Sequence, residues 1–175
     1  MKDLNTNHPV WDVYNLYRIS KENVEYFSSK LHSYTKHNTL IEIILAITTA
    51  SSAVGALWFQ NSPFGQQIWK ILVTFSAFIA AIKPIINYTD KIRKYEEILT
   101  GYRALENDLE KITILIKQSK KYEKIHRSKL FEAIDRHGKL KQKSPEIKID
   151  EKLLKKCQLK VKSLLPSDIF FVPED

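Results

Sequence analysis

The apolar residues of the chain are concentrated in two stretches that carry almost no charge. The first covers residues 40–59, with Glu42 as its one charged residue and with Trp58 and Phe59 at its end. A helix of about 20 residues rises about 30 Å, which matches the hydrocarbon thickness of a bilayer, and aromatic residues favour the membrane interface. The pattern therefore predicts a transmembrane helix over residues 40–59, with a buried helix of a soluble bundle as the alternative.

The second apolar stretch is shorter. Residues 71–82 are uncharged and lie between Lys70 and Lys83. A run of about 12 apolar residues is often a core helix, but the long stems of lysines can reach the headgroup region from inside a span. With that allowance the span extends over residues 68–88, and the two spans form a hairpin over residues 39–88.

The distribution of basic residues predicts the orientation of this hairpin. Residues 60–67 between the spans are uncharged, whereas residues 1–38 contain five basic residues and Lys91, Arg93 and Lys94 directly follow the second span. Because lysine and arginine stay on the cytoplasmic side of a membrane, both termini should be cytoplasmic.

Amphipathic helices are predicted on both sides of the hairpin. In residues 1–38 apolar side chains recur at helical spacing, and no breaker precedes residue 40, so one long helix should run into the first span. Its apolar positions include Val10, Tyr14, Tyr17, Val24, Phe27, Leu31 and Tyr34. Residues 89–121 should continue the second span as a stalk helix, with a stripe formed by Tyr95, Leu99, Tyr102, Leu105, Leu109, Ile112 and Ile116. We expect the two helices to pack as an antiparallel pair.

Lys83 and Pro84 mark the point where the second span leaves the bilayer. Proline removes a backbone donor and crowds the preceding turn, so it kinks a helix or marks a junction. A hinge is the functional interpretation, and a plain interfacial kink is the alternative.

The C-terminal region, residues 122–175, is predicted to add two helices and a tail. The first helix begins near Tyr122, carries Ile125, Phe131 and Ile134 as its apolar residues, and ends near Gly138, followed by a breaker segment over residues 139–145. The second begins at Asp150, which suits an N-cap, and carries Leu153, Leu154, Cys157, Val161 and Leu164. The tail, residues 166–175, is expected to dock on the helices or on a partner. The predicted fold is thus an all-α membrane protein, a two-span hairpin continued into a cytoplasmic helical bundle.

Composition narrows the possible chemistry. The net charge of +8 comes from 28 basic and 20 acidic residues, and most of the basic ones follow residue 88, so we interpret it as a cytoplasmic charge facing anionic lipid and not as a nucleic-acid site. Four glycines form no phosphate-binding loop, one cysteine forms no disulfide framework, and the five histidines show no metal-binding spacing. Without a catalytic motif, the chain is predicted to be neither an enzyme nor a cofactor or metal protein.

The first span is rich in small and hydroxyl residues. Thr49 shares a helical face with Glu42, and Thr48, Ser52 and Gly55 lie along the adjacent face; the second span offers Ser76 and Ala80 at small-xxx-small spacing. Such residues let helices approach closely in lipid, which predicts either simple hairpin packing or a homo-oligomer with a polar stripe around a pore. Glu42 would then form a carboxylate ring at the cytoplasmic mouth, or it would pair with Lys83 of the neighbouring span.

This arrangement resembles the SLATT family of bacterial two-transmembrane effector domains. The residues that carry the resemblance are 40–59, the short turn over 60–67, residues 71–82 with Lys83 and Pro84, and the helix over 88–115 with its tyrosine-bearing stripe. The resemblance covers roughly residues 32–121. It implies an inner-membrane, pore-forming effector of anti-phage defence that acts with a nucleotide-synthase or sensor protein encoded nearby. It also implies a nucleotide second messenger as a possible ligand of the cytoplasmic helices.

The sequence thus predicts a regulated membrane-permeabilising effector in the bacterial inner membrane. The main alternative is a non-enzymatic membrane anchor or scaffold whose coiled-coil-like helices recruit a cytoplasmic partner. A small transporter or a holin-like lysis protein fits less well, because the cytoplasmic part is large for that class.

Overall fold

The computed structural model describes residues 7–59 and 63–174, and it describes side chains from residue 7 to 47 and from 63 to 174. These residues form five helices, α1 (Val10–Phe59), α2 (Pro63–Ile86), α3 (Tyr88–Ser119), α4 (Lys124–Gln142) and α5 (Glu151–Leu164), with a 3-10 turn at Ser167–Ile169. No strand occurs in the described ranges, which confirms the all-helical prediction. α1 forms one uninterrupted helix of 50 residues, as the absence of breakers predicts.

The chain forms two compact units. The bundle unit consists of the described residues up to Lys30 and from Lys94 onward, and the apolar unit consists of Leu31–Arg93. The N-terminal part of α1 is thus grouped with the C-terminal helices, although these segments are far apart in sequence.

The core of the bundle unit lies between α1 and α3. The ring of Phe27 stacks on Tyr102 at 5.5 Å between centroids, and Lys21 Nζ lies 2.6 Å from Glu106 Oε1. Residue numbers fall along α1 as they rise along α3, so the predicted antiparallel pair is confirmed. The whole predicted α3 stripe is buried, namely Tyr95, Leu99, Tyr102, Leu105, Leu109, Ile112 and Ile116, together with Ile98.

α4 is longer than the sequence predicts. It continues to Gln142 and does not end at Gly138. Leu140 lies against Gly101 of α3, where a β-carbon built on the glycine would meet Leu140 Cδ2 at 2.3 Å. This contact holds the last turn in place, because only glycine leaves room for the leucine.

The buried side chains of α4 are those of His126, Leu130 and Ala133, whereas Ile125, Phe131 and Ile134 are exposed. The buried positions are separated by four and three residues, which is the spacing of one helical face. The most apolar residues of this helix are therefore not the ones that pack in the bundle unit.

α5 and the tail close the bundle unit. Asp150 Oδ1 accepts a hydrogen bond from Leu153 N at 3.1 Å, which confirms the predicted N-cap, and Cys157 and Val161 are buried. Phe170 of the tail stacks on Tyr14 at 4.3 Å between centroids, and the Tyr14 hydroxyl donates to Phe171 O at 2.5 Å. Of the two alternatives for the tail, the structure shows docking on the helices.

In the apolar unit a break at Asn87 separates α2 from α3. Pro84 lies inside α2, and the left-handed backbone is found at Asn87, with φ of 46°. Asparagine tolerates this conformation better than most residues, and its Oδ1 accepts a hydrogen bond from Asp90 N at 3.3 Å. α2 and α3 are therefore separate helices, and the break between them lies three residues after Pro84.

Candidate functional site

The helix α2 exposes many large apolar side chains. α2 belongs to the helical stretch Pro63–Ser119, the one stretch of the described residues whose length and composition would allow it to cross a membrane. Its most apolar 18-residue window has a mean hydropathy of 1.6, and none of that window is buried. Ile71 is 68% exposed and Phe78 is 62% exposed. An exposed apolar surface of this kind marks an interaction site for lipid or protein, because water solvates it poorly.

The same surface continues on the C-terminal half of α1. Leu40, Ile43 and Ile47 are all exposed. Thr48, Thr49, Ser52 and Gly55, which the sequence predicts to line a pore or a helix contact, lie in α1, but their side chains fall outside the described residues.

A charged pair lies at one end of this apolar surface. Lys83 Nζ of α2 lies 2.6 Å from Glu42 Oε1 of α1, and both side chains are partly exposed. Of the two arrangements that the sequence left open for Glu42, this structure shows the ion pair. In water such an exposed pair contributes about 0–1 kcal/mol, but in a low-dielectric surrounding each partner would be costly without the other.

Aromatic and basic side chains lie next to this pair. The ring of Tyr88 is 6.2 Å from that of Tyr34 and 6.5 Å from the imidazole of His37, and Lys91 Nζ lies 5.9 Å from the Tyr88 centroid. Tyrosine and lysine are favoured where a helix passes from hydrocarbon to water. The predicted hinge residues Lys83 and Pro84 both line a small cavity of about 200 Å³ at this level.

Ser76 and Ala80 occupy different environments on α2. Ala80 is exposed, whereas Ser76 is partly covered and its Oγ is buried without a hydrogen-bond partner among the described residues. A buried hydroxyl without a partner costs about 1–3 kcal/mol. Ser76 and Ala80 lie one helical turn apart on α2, and their role in helix packing stays a prediction.

The bundle unit contains a polar cluster that the sequence analysis missed. Glu146, in the loop between α4 and α5, has a side chain only 8% exposed. Its Oε1 accepts from the Tyr95 hydroxyl at 2.7 Å, its Oε2 accepts from the Tyr26 hydroxyl, and Lys30 Nζ lies 3.8 Å away. The sequence does contain one feature that could have indicated a special role for Glu146, because it is the only acidic residue in the basic segment 136–149.

The same cluster connects the loop to α1. Tyr26 Oη also accepts from Asp150 N at 3.0 Å, and Lys30 Nζ lies 3.1 Å from Asp150 Oδ2. Burial, followed by the hydrogen bond to Glu146, raises the pKa of Tyr26 well above its ordinary value. Tyr26 therefore stays protonated and donates to the carboxylate at neutral pH.

The predicted stalk residues Tyr95, Leu99, Tyr102, Leu109 and Ile112 all serve the core of the bundle unit. Burial raises the pKa of Tyr102 to about 12. These side chains hold α3 against its neighbours, and only Tyr95 also takes part in the polar cluster.

Two of the five histidines act as helix caps. His8 Nδ1 accepts from Val10 N at 3.1 Å, and His126 Nδ1 accepts from Glu123 N at 3.0 Å. In the ranges 7–59 and 63–174, no three His, Cys, Asp or Glu side chains converge as metal ligands would.

Comparisons of this chain with protein-family models, with curated proteins and with solved structures returned no match. The resemblance to the SLATT family thus stays a prediction that rests on the residues quoted for it.

Proposed function

We propose that this protein inserts the apolar unit into a bacterial inner membrane as a two-span hairpin, with both termini in the cytoplasm. The observation that carries the proposal is the exposed apolar surface of α2, whose candidate window has no buried residue. Transfer of apolar surface from water to hydrocarbon contributes about 25 cal/mol per Å², so lipid is a favourable surrounding for this unit. The basic residues on both sides of the hairpin and the uncharged segment 60–67 support the orientation.

The hairpin acts, in this proposal, as a membrane-permeabilising effector that the bundle unit controls. The small and hydroxyl residues of the first span support close helix contacts between copies, and Glu42 with Lys83 supplies charges at one end of the hairpin. The setting in anti-phage defence, with a nucleotide signal or a partner protein as the trigger, rests on the resemblance alone.

Insertion and orientation are tested by cysteine labelling in a Cys157→Ala background. Ser62→Cys and Ser119→Cys variants are treated in intact spheroplasts with a membrane-impermeant maleimide. We expect labelling at position 62 only, and labelling at position 119 after lysis. Equal labelling at both positions before lysis, or recovery of the protein in the soluble fraction, contradicts the proposed topology.

Permeabilisation is tested by membrane potential and dye entry after induced expression. Ser52→Leu with Gly55→Leu should abolish the loss of potential, because larger side chains block close helix approach. Val54→Leu, a substitution of the same kind at a residue that is already large, serves as the control and should leave the activity unchanged. Intact potential under every condition, with the wild-type protein in the membrane, contradicts the effector proposal.

A membrane anchor that recruits a cytoplasmic partner is the second candidate function. The observation that favours it is the exposed apolar surface of α4 at Phe131 and Ile134, which lie three residues apart on one side of the helix. An anchor should tolerate the Ser52→Leu and Gly55→Leu substitutions. A photo-crosslinking residue at position 131 should then capture one defined protein in cells, and a Phe131 variant that captures none contradicts this alternative.

A further inference from the structure

A groove on the bundle unit combines three basic side chains with little compensating charge. It has a volume of about 510 Å³ and lies between α1, α5 and the start of the tail. Arg18, Lys155 and Lys162 line it, with Glu22 as the single acidic lining residue. The other lining residues are Gln158, Leu159, Pro166 and Ser167.

Some basic residues of the same unit are paired with acids, whereas the two lysines of the groove are not paired with any described residue. Lys160, on the neighbouring face of α5, pairs with Glu25 at 2.7 Å, and Arg136 pairs with Asp108 at 2.5 Å in another groove. Lys155 and Lys162 have no ion-pair partner among the described residues. Their positive charge is therefore available to an external anion.

The arginine of the groove is held in position. Arg18 Nε donates to Leu165 O at 2.9 Å, its Nη2 donates to Ser167 Oγ at 3.1 Å, and its guanidinium lies 5.0 Å from the Phe170 centroid. Two of its five N–H groups are used in this way, and three remain for a ligand. Because these contacts join the tail to α1, the docked tail both forms one wall of the groove and orients the arginine.

The middle of the groove, between Lys162 and Lys155 along α5, is suited to a neutral polar group. Glu22 is hydrogen-bonded to Gln158, and burial is the main cause that raises the pKa of its carboxyl above the ordinary value. A carboxyl beside an amide offers both donor and acceptor atoms, and Leu159 adds an apolar contact.

We propose that this groove binds a phosphate-bearing small molecule, with its phosphate on Arg18 and Lys162, its polar part against Glu22 and Gln158, and its far end toward Lys155. Three basic groups and one acid leave a net charge of about +2, which matches the charge of about −1.5 to −2 on a phosphate monoester. The volume lies in the range of small-molecule sites, about 300–1,000 Å³, and exceeds what a bare phosphate fills. The phosphate belongs to a soluble nucleotide or to a lipid headgroup, which share this chemistry. The inference concerns binding to the bundle unit and does not depend on whether the protein permeabilises a membrane.

Binding is measured on the full-length chain in a non-ionic detergent, as the change in thermal midpoint at constant ionic strength. The probes are ATP, pyrophosphate, and phosphatidic acid in mixed micelles. We expect a saturable rise in midpoint with at least one of them. A rise with ATP or pyrophosphate assigns a soluble ligand, and a rise with phosphatidic acid alone assigns a lipid headgroup.

Matched variants separate this site from general charge attraction. Lys155→Gln with Lys162→Gln should weaken the binding about tenfold or more, because the groove then keeps only one of its three basic groups. Lys152→Gln with Lys156→Gln removes the same charge from the same helix outside the groove and should change the affinity less than about twofold. No saturable rise with any probe, or equal weakening in the two double variants, overturns the proposal.

Discussion

Removal of the Glu146 carboxylate is the sharpest test of how the bundle unit is held together. This side chain accepts hydrogen bonds from Tyr95 and Tyr26, whose side chains are themselves buried. A hydrogen bond to a charged group contributes about 1.5–3 kcal/mol net, and a buried donor left without its acceptor costs about 1–3 kcal/mol. For Glu146→Ala we expect a loss of about 2–4 kcal/mol in the free energy of unfolding.

Glu146→Gln should cost less, about 1 kcal/mol, because its amide oxygen still accepts from one tyrosine while its NH₂ group faces the other hydroxyl. The assay is urea unfolding of the full-length protein followed by Trp11 fluorescence, in a background with Trp58→Phe and Trp69→Phe. Trp11 packs against Tyr14 and Phe170 and so reports on the bundle unit.

A double-mutant cycle isolates the contact itself. Tyr95→Phe combined with Glu146→Ala should give a coupling energy of about 1–2 kcal/mol, because each single variant removes the hydrogen bond that the two residues share. Glu97→Ala removes an exposed carboxylate of α3 whose Oε1 lies 3.2 Å from Lys143 Nζ, and it should cost less than about 0.5 kcal/mol. If Glu146→Ala costs no more than this control, the polar cluster does not stabilise the fold and the reasoning is refuted.

Three further predictions follow from individual contacts. Burial, and then the charge of Lys141, lowers the pKa of His137 below its ordinary value of 6.5 in the folded protein. The neutral imidazole therefore gives full stability above pH 6.5, and stability is lost as the pH falls from 6.5 toward the lower pKa of the folded state. His137→Asn should flatten this pH dependence of the urea unfolding midpoint. Phe170→Ala should cost about 3 kcal/mol or more and shift Trp11 emission to the red, whereas an unchanged spectrum would contradict the tail docking. Asn87→Val should lower the thermal midpoint by straining a left-handed backbone, at about 1–2 kcal/mol, whereas Asn87→Gly should not; equal midpoints would refute the strain argument.

The candidate site was only partly predictable from sequence. The charge-free stretch 71–82 and its flanking lysines could be recognised because they are a property of neighbouring residues, and the Glu42–Lys83 pair followed from placing two spans side by side. The groove at Arg18 and Lys155 was not predicted, since α1 and α5 meet only in the folded bundle.

The sequence by itself determined the features that depend on local periodicity. The length of α1, the buried stripe of α3 from Tyr95 to Ile116 and the Asp150 cap follow from helical spacing, absent breakers and one capping side chain. The tertiary structure alone decided the packed face of α4, its extension through Leu140, the docking of the tail at Tyr14 and the polar cluster at Glu146. Each of these depends on contacts between residues far apart in sequence, such as Tyr14 with Phe171 and Tyr26 with Glu146, and no local pattern encodes which distant side chain completes a hydrogen bond or fills the space beside a glycine.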